Sequence, residues 1–331
     1  GLMADPELPR KAKEGREDEI VPCLRCNVCL SETFVSLLPY ASRAMKCAVN
    51  PTCGREFQTM FWERPHRKNR ILIAGGGPAG MQAAITAADR GHEVILCEKS
   101  NLLGGALKTA EHVSFKFDLS NYRQSLINRV NNRAIRVMMN TAVDEALCKL
   151  LKPDVLICAI GGEKLCPSIP GIELDHVVFA EDIWKKEKPI GQQVVIIGGG
   201  MTGAEEALNF AMAGKDVTIL ETCSTIAKDG NFRGREALLQ EIDKYSNIHI
   251  HTGTKALEIL SDGINALCED GDSLYIPAET VIIAAGRLAL NDEAEKMRDW
   301  APDFALAGDC KKPGKILDAV RGGFYAAMNV Y

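Results

Sequence analysis

A duplication limits what this chain can fold into more than any other feature of its sequence. Residues 71–98 read ILIAGGGPAGMQAAITAADRGHEVILCE, and residues 194–221 read VVIIGGGMTGAEEALNFAMAGKDVTILE. Gly75 maps to Gly198, Gly80 to Gly203 and Glu98 to Glu221, with one constant offset. Each copy opens on a β-branched apolar run suited to a parallel strand buried on both faces. A glycine turn comes next, then a helix of small residues, a glycine stop (Gly91, Gly214) and a second apolar strand that ends in glutamate. A unit repeated at this length, with both strands intact, is a supersecondary building block used twice.

Both copies carry G-x-G-x-x-G, at Gly75, Gly77 and Gly80 and at Gly198, Gly200 and Gly203, with Pro78 and Ala79 completing the first loop. The first glycine permits a tight turn, and the second lets the backbone approach a pyrophosphate. The third lets the helix pack close to the strand, so that its N-terminal N–H groups point at phosphates. A carboxylate at the end of the second strand can accept both ribose hydroxyls of an adenosine. One such motif is weak evidence, but strand, helix, second strand and acid fall into place twice. The expected fold class is α/β with two Rossmann-like dinucleotide-binding domains, and two dinucleotides are expected.

Beyond the acid the two copies diverge. The first continues Glu98-Lys-Ser-Asn-Leu-Leu-Gly104-Gly105, and the glycine pair lets the chain pass close to a long ligand such as FAD. The second lacks the pair. Glu221 favours NADH over NADPH, because a carboxylate repels a 2′-phosphate and Thr222-Cys-Ser-Thr offers no arginine to hold one; Lys228, Arg233 and Arg235 come soon after. The apolar runs 154–160 and 279–285 end in Gly161-Gly162 and Gly286-Arg287. They read as strands through which the chain crosses between an FAD domain (67–170 and 286–331) and an inserted NAD(H) domain (171–285).

Twelve cysteines are many for 331 residues. Eight are scattered, several within strand-like apolar stretches, and most of them read as small buried hydrophobes. The other four are crowded: Cys23, Cys26 and Cys29 form C-x2-C-x2-C, and Cys47 comes after a gap. Three thiolates on one short loop can meet one face of a cubane cluster, which a fourth from a distance closes. A structural zinc site is the main rival, although zinc more often uses two separate C-x2-C knuckles. Residues 21–66 are thus expected to hold a [4Fe–4S] cluster, preceded by a linker over residues 1–20.

These residues resemble a known family. Ala4-Asp-Pro-Glu-Leu-Pro-Arg-Lys-Ala, Glu14-Gly-Arg-Glu-Asp-Glu-Ile, Cys23-x2-Cys26-Asn and Cys47-Ala-Val-Asn-Pro look like bacterial enzymes related to 2,4-dienoyl-CoA reductase, 2-enoate reductase and trimethylamine dehydrogenase. The resemblance runs along almost the whole chain. It implies a TIM barrel with FMN ahead of the [4Fe–4S] segment, an FAD- or ADP-binding domain and a pyridine-nucleotide domain. By resemblance, Ala307-Gly308-Asp309 closes the FAD site, Asp309 accepting a hydrogen bond from the ribityl chain, and Cys47 rather than Cys53 is the fourth cluster ligand. Two departures stand out. The gap from Cys29 to Cys47 is longer than usual, so that Leu37-Leu-Pro-Tyr-Ala-Ser is expected to form a larger loop. The barrel is absent, and Gly1 to Gly15 looks like its last helix. The chain is therefore expected to be a C-terminal fragment, or a subunit whose barrel lies elsewhere. It would carry electrons from NADH through FAD to the cluster, and on to FMN for reduction of an enoate or enoyl-CoA.

Other functions fit less well. The net charge of -5 gives no basic surface for nucleic acid. No apolar run approaches the roughly 20 residues that span a bilayer, and a cytoplasmic location is expected. A dithiol flavoenzyme needs a close cysteine pair beside the flavin, and neither residues 104–112 nor the second nucleotide domain offers a C-x-x-C. A trimethylamine dehydrogenase-like module would hold ADP in the first site without NADH turnover, and Glu98 would suit ADP equally well. His249 and His251 alternate along a strand and read as a solvated face.

Overall fold

The computed structural model describes residues 1–35 and 45–331; the larger loop expected over residues 37–42 lies outside the described residues. The chain divides into two compact units. One comprises Gly1–Lys108, Asp118–Glu163 and Leu288–Tyr331, the other Thr109–Phe117 and Lys164–Arg287.

The first unit is built on a five-stranded parallel sheet. Its strands lie in the order Asp303–Leu306, Val155–Cys158, Arg70–Ala74, Glu93–Cys97 and Ile135–Met138. Alternate residues of a strand point to opposite faces, so both faces need cover. The helix Pro78–Asp89 covers one, and the C-terminal helix Ile316–Met328 lies against it. That approach needs glycine, because a Cβ on Gly323 would fall 2.0 Å from the Ala79 carbonyl oxygen. On the other face Leu72, Ala74, Ile95 and Leu156 form an apolar cluster with Ala294, Met297 and four cysteines, Cys97, Cys148, Cys158 and Cys310. Buried as small apolar groups, these four thiols fit the expectation for most of the scattered cysteines, whereas Cys166 and Cys223 are exposed and depart from it.

The second unit repeats the plan. Its parallel sheet runs Val177–Phe179, Thr280–Ile283, Gln193–Ile197, Asp216–Leu220 and Ile248–His251. Val194, Ile196, Val217 and Ile219 face the helices Met201–Met212 and Phe232–Ile242. Val195, Leu220, Val281 and Ile283 face a three-stranded antiparallel sheet made of Lys255–Ile259, Gly263–Leu267 and Ser273–Pro277. Among the described residues no helix is long and apolar enough to cross a membrane.

Candidate functional site: two glycine loops and a cysteine loop

The duplication persists down to single hydrogen bonds. Gly75 N–H donates to Cys97 O at 2.8 Å and Gly198 N–H to Leu220 O at 2.9 Å, each tying the turn to the end of the neighbouring strand. Both glycines have positive φ, 110° and 107°. A Cβ on either would meet a backbone oxygen, that of Ala159 at 2.3 Å or of Ala284 at 2.4 Å. The third glycine of each motif allows closer contact still. A Cβ on Gly80 would sit 1.9 Å from Gly75 O, and one on Gly203 would sit 1.9 Å from Gly198 O. Gly77 and Gly200 are the N-caps of the two fingerprint helices, and neither caps with a side chain. The first-turn N–H groups therefore point outward, as a phosphate requires.

The two acids hold the loops from the strand side. Glu98 accepts from Gly76 N–H at 2.8 Å with one oxygen, and from Ser100 N–H and Oγ at 2.8 and 2.7 Å with the other. Glu221 accepts from Gly199 N–H at 2.6 Å and from Cys223 N–H at 2.7 Å. Burial would raise the Glu221 pKa, but the N–H donors of Cys223 and Gly199 outweigh it and hold the carboxyl below its ordinary value.

After each acid the chain returns across its glycine loop. Gly104 N–H donates to Gly76 O at 2.9 Å, and a Cβ on Gly105 would lie 2.8 Å from Gly77 Cα. The glycine pair thus passes close to the first glycine loop itself. In the second copy Ala227 takes the place of Gly104, and its N–H donates to Gly199 O at 2.6 Å. Ala227 adopts a φ of 54°, which L-residues seldom visit. The sequence signals only a missing glycine pair here, whereas the backbone path is retained.

Asp229, two residues on, carries no sequence signal either. Its carboxylate accepts from Met201 N–H at 2.7 Å, at the start of the second fingerprint helix. The equivalent residue in the first copy is Pro78, which has no N–H to offer. Of the nearby cations, Arg235 is turned inward onto Ile226 O at 3.2 Å and Thr225 Oγ1 at 2.5 Å.

Gly308, at φ 74°, brings the Ala307-Gly308-Asp309 turn against the first fingerprint helix, where a Cβ would meet Ala79 Cβ at 2.8 Å. Asp309 Oδ1 accepts from Gly314 N–H at 3.1 Å. It does not cap the C-terminal helix, whose N-cap is Lys315. The next residue, Cys310, places its sulfur 3.3 Å from both Cys158 O and Ala307 O. Contact with Cys310, together with burial, raises the Cys158 thiol. This contact joins residues far apart in sequence, and no local motif announces it.

The cysteine loop belongs to the first unit. Arg25 and Asn27 both take positive φ, 51° and 57°, so the loop curls tightly around Cys26. Arg25 N–H donates to Cys23 Sγ at 3.4 Å. Cys26 accepts in the same i to i+2 manner from Val28 N–H. Burial pushes the Cys26 thiol up, and the charges of Cys47, Cys23 and Cys29 add to the rise. Cys53, the alternative fourth ligand, is buried and its thiol is pushed up to about 11, first by burial and then by Cys47. Among the described residues no three His, Cys, Asp or Glu side chains converge as ligands of a single ion.

Two further arrangements have no sequence signal. The buried Asp5 carboxylate accepts from Lys11 Nζ at 2.7 Å and from Val21 N–H at 2.9 Å, anchoring the chain two residues before Cys23. Residues Thr109–Phe117 dock on the second fingerprint helix. There His112 Nε2 lies 2.9 Å from the buried Glu206, Lys116 Nζ lies 2.6 Å from Glu205, and Ser114 donates to Asn209 Oδ1 at 3.1 Å. His249 lies on an exposed strand 3.1 Å from Asp216, as a solvated face requires.

Two parallel sheets with paired glycine loops and terminal acids define the class: a flavin oxidoreductase dependent on a nicotinamide nucleotide. The chain belongs to the pyridine nucleotide-disulphide oxidoreductase family, whose profile matches residues 69–298. It is 37% identical over its full length to an NADH oxidase of Thermoanaerobacter brockii and covers 51% of that protein. It is 31% identical over 99% of its length to a cinnamate reductase of Clostridium sporogenes, covering 48%. Among solved structures, 2-naphthoyl-CoA reductase in complex with 2-naphthoyl-CoA superposes with a TM-score of 0.91 at 31% identity. That match spans 99% of this chain and 49% of the other. The chain therefore spans about half the length of the curated relatives it matches.

Proposed function

We propose that this chain is the reductase module of an NADH-dependent flavin oxidoreductase. In this reading Gly198, Gly200, Gly203 and Glu221 bind NADH, while Gly75, Gly77, Pro78, Ala79, Gly80, Glu98, Gly104, Gly105, Gly308 and Asp309 bind FAD. Cys23, Cys26, Cys29 and Cys47 hold a [4Fe–4S] cluster. When bound, the flavin supplies the exchange between hydride chemistry and single-electron transfer. The residues supply the rest. Each helix N-terminus takes a pyrophosphate, each acid takes an adenosine ribose, and Glu221 disfavours a 2′-phosphate. The cysteine loop caps Cys23 and Cys26 with backbone N–H groups, which stabilise sulfur in its anionic form. In the complete protein the electrons would pass to an FMN-containing barrel that reduces an activated alkene, an enoate or enoyl-CoA. Relatives about twice as long, a cinnamate reductase and a naphthoyl-CoA reductase among them, support that extension.

The observation that carries the reading is the repetition of the same hydrogen bonds around both glycine loops, in one chain that also crowds four cysteines into residues 23–47. Iron, sulfide and flavin analysis of the anaerobically purified chain tests it, together with separate titrations with NADH and NADPH. The expected result is one FAD, about four iron and four sulfide per chain, and bleaching of the flavin at lower NADH than NADPH. Recovery of ADP in place of FAD, with no response to NADH, would establish the trimethylamine dehydrogenase-like alternative.

A further inference from the structure

The duplication supplies its own control for the return of the chain across each glycine loop. Ala227 N–H donates to Gly199 O where Gly104 N–H donates to Gly76 O, so the two return paths align position by position. Counting on from there, Lys228 stands where the first copy has Gly105, and Asp229 where it has Ala106. What is a methyl group in one copy is a carboxylate in the other, at the same step of the same path.

That carboxylate lies on the helix N-terminus. Asp229 Oδ1 accepts from Met201 N–H at 2.7 Å and would sit 3.4 Å from a Cβ on Gly200. Gly200 is the N-cap of the helix Met201–Met212 and has no side chain to cap with. The carboxylate therefore covers the second glycine of the motif, over which a pyrophosphate has to pass. In the first copy the same space is open. Beyond its own chain neighbours, a Cβ on Gly77 would meet only Gly105 Cα among the described residues, at 3.8 Å. Pro78, at the helix position of Met201, has no N–H to hold an acid. Asp229 is also exposed, so its side chain can swing into water at little cost.

We propose that the Asp229 carboxylate is an exchangeable stand-in for the nucleotide pyrophosphate. It occupies the second cradle when the site is empty, leaves when NADH binds, and returns as the nucleotide departs. The proposal rests on the assignment of the second glycine loop to NADH. Asp229 is thus an affinity-setting residue that lowers the hold on phosphate and hastens release. The two copies are fitted to different duties: the first keeps its dinucleotide through many turnovers, and the second gives its nucleotide up after each.

Fluorescence titration of the full chain with NADH, and competition of that binding by ADP and by adenosine, test this on Asp229→Ala and Asp229→Asn. Asp229→Ala should tighten NADH and ADP about threefold, the worth of one charge at a helix end, and leave adenosine unchanged because it carries no phosphate. Asp229→Asn keeps an acceptor for Met201 N–H but loses the charge, and should tighten NADH by a smaller factor. Displacement of NADH in stopped flow should be slower from Asp229→Ala than from wild type, and flavin content should be the same in all three proteins. Unchanged or weaker NADH binding in Asp229→Ala would overturn the proposal. Tightening of adenosine by the same factor as NADH would also overturn it, since the effect would then come from loop packing and not from phosphate. A wild-type chain that binds neither NADH nor ADP would instead remove the assignment beneath the proposal.

Discussion

Glycines of the same motif carry different loads in this chain, and substitution separates them. A methyl on Gly80 is directed at Gly75 O, 1.9 Å away, so Gly80→Ala should force the first fingerprint helix off its strand and cost about 1–3 kcal/mol of stability. A methyl on Gly77 meets nothing closer than Gly105 Cα at 3.8 Å, and its φ of -75° is ordinary. Gly77→Ala should therefore leave the melting temperature nearly unchanged, yet weaken FAD by about tenfold or more, about 1.4 kcal/mol, because the added carbon fills space the pyrophosphate needs. Thermal melts and flavin equilibrium binding on both variants decide the matter; equal effects on stability would refute the distinction. Asp229 makes the opposite kind of contribution. Its carboxylate rests on the Met201 N–H where a phosphate would bind, so Asp229→Ala should tighten NADH. The expected gain is about threefold, the worth of a charge at a helix end, read by fluorescence titration. Neither Asp229 nor Ala227 is legible in the sequence. The glycine motifs are a local pattern, whereas the return of the chain across a loop depends on tertiary packing. That packing can hold an alanine in a left-handed conformation where the sequence suggests a glycine is required.

At the scale of elements, the cysteine loop is held at its start by groups with no motif of their own. Asp5, Lys11 and Val21 form a nearly dry knot ahead of Cys23, with side-chain exposures of 12% for Lys11 and 4% for Asp5. Asp5→Ala would strand the Lys11 charge and should cost about 3–5 kcal/mol, with the loss of order centred on the cysteine loop in hydrogen exchange. The sign of the pH effect comes from the carboxyl. Burial raises its pKa, but Lys11 and the N–H groups of Val21 and Glu7 outweigh burial and hold it below the ordinary 3.8. Its contribution is thus full above about pH 3.8 and is lost as pH falls through the depressed value. Wild type should lose cysteine-loop protection on acidification in that range, whereas Asp5→Asn should show no such step. Strands, helices and glycine stops are readable because periodicity and capping are local. The knot and the docking of Thr109–Phe117 are not, since each joins polar residues from separate segments without a repeating pattern.

Across the whole chain, one structural idea is used twice and then supplemented. Both units order their sheets alike, with the fingerprint strand at the centre, and both end the adjacent strand in a carboxylate that grips the glycine turn. That much is evident from the duplication, because a parallel sheet buried on both faces leaves continuous apolar runs. The supplement is the cysteine loop of the first unit, which in the proposed function would give single electrons an exit. The order NADH, flavin, cluster is the central claim, and Cys26→Ala tests it most directly. Anaerobic stopped-flow mixing of the variant with NADH should bleach the flavin at the wild-type rate, while the EPR signal of a reduced cluster, present in wild type, should be missing. If the variant retains its FAD but NADH no longer bleaches it, the cluster does not lie downstream of the flavin and the proposed order is wrong.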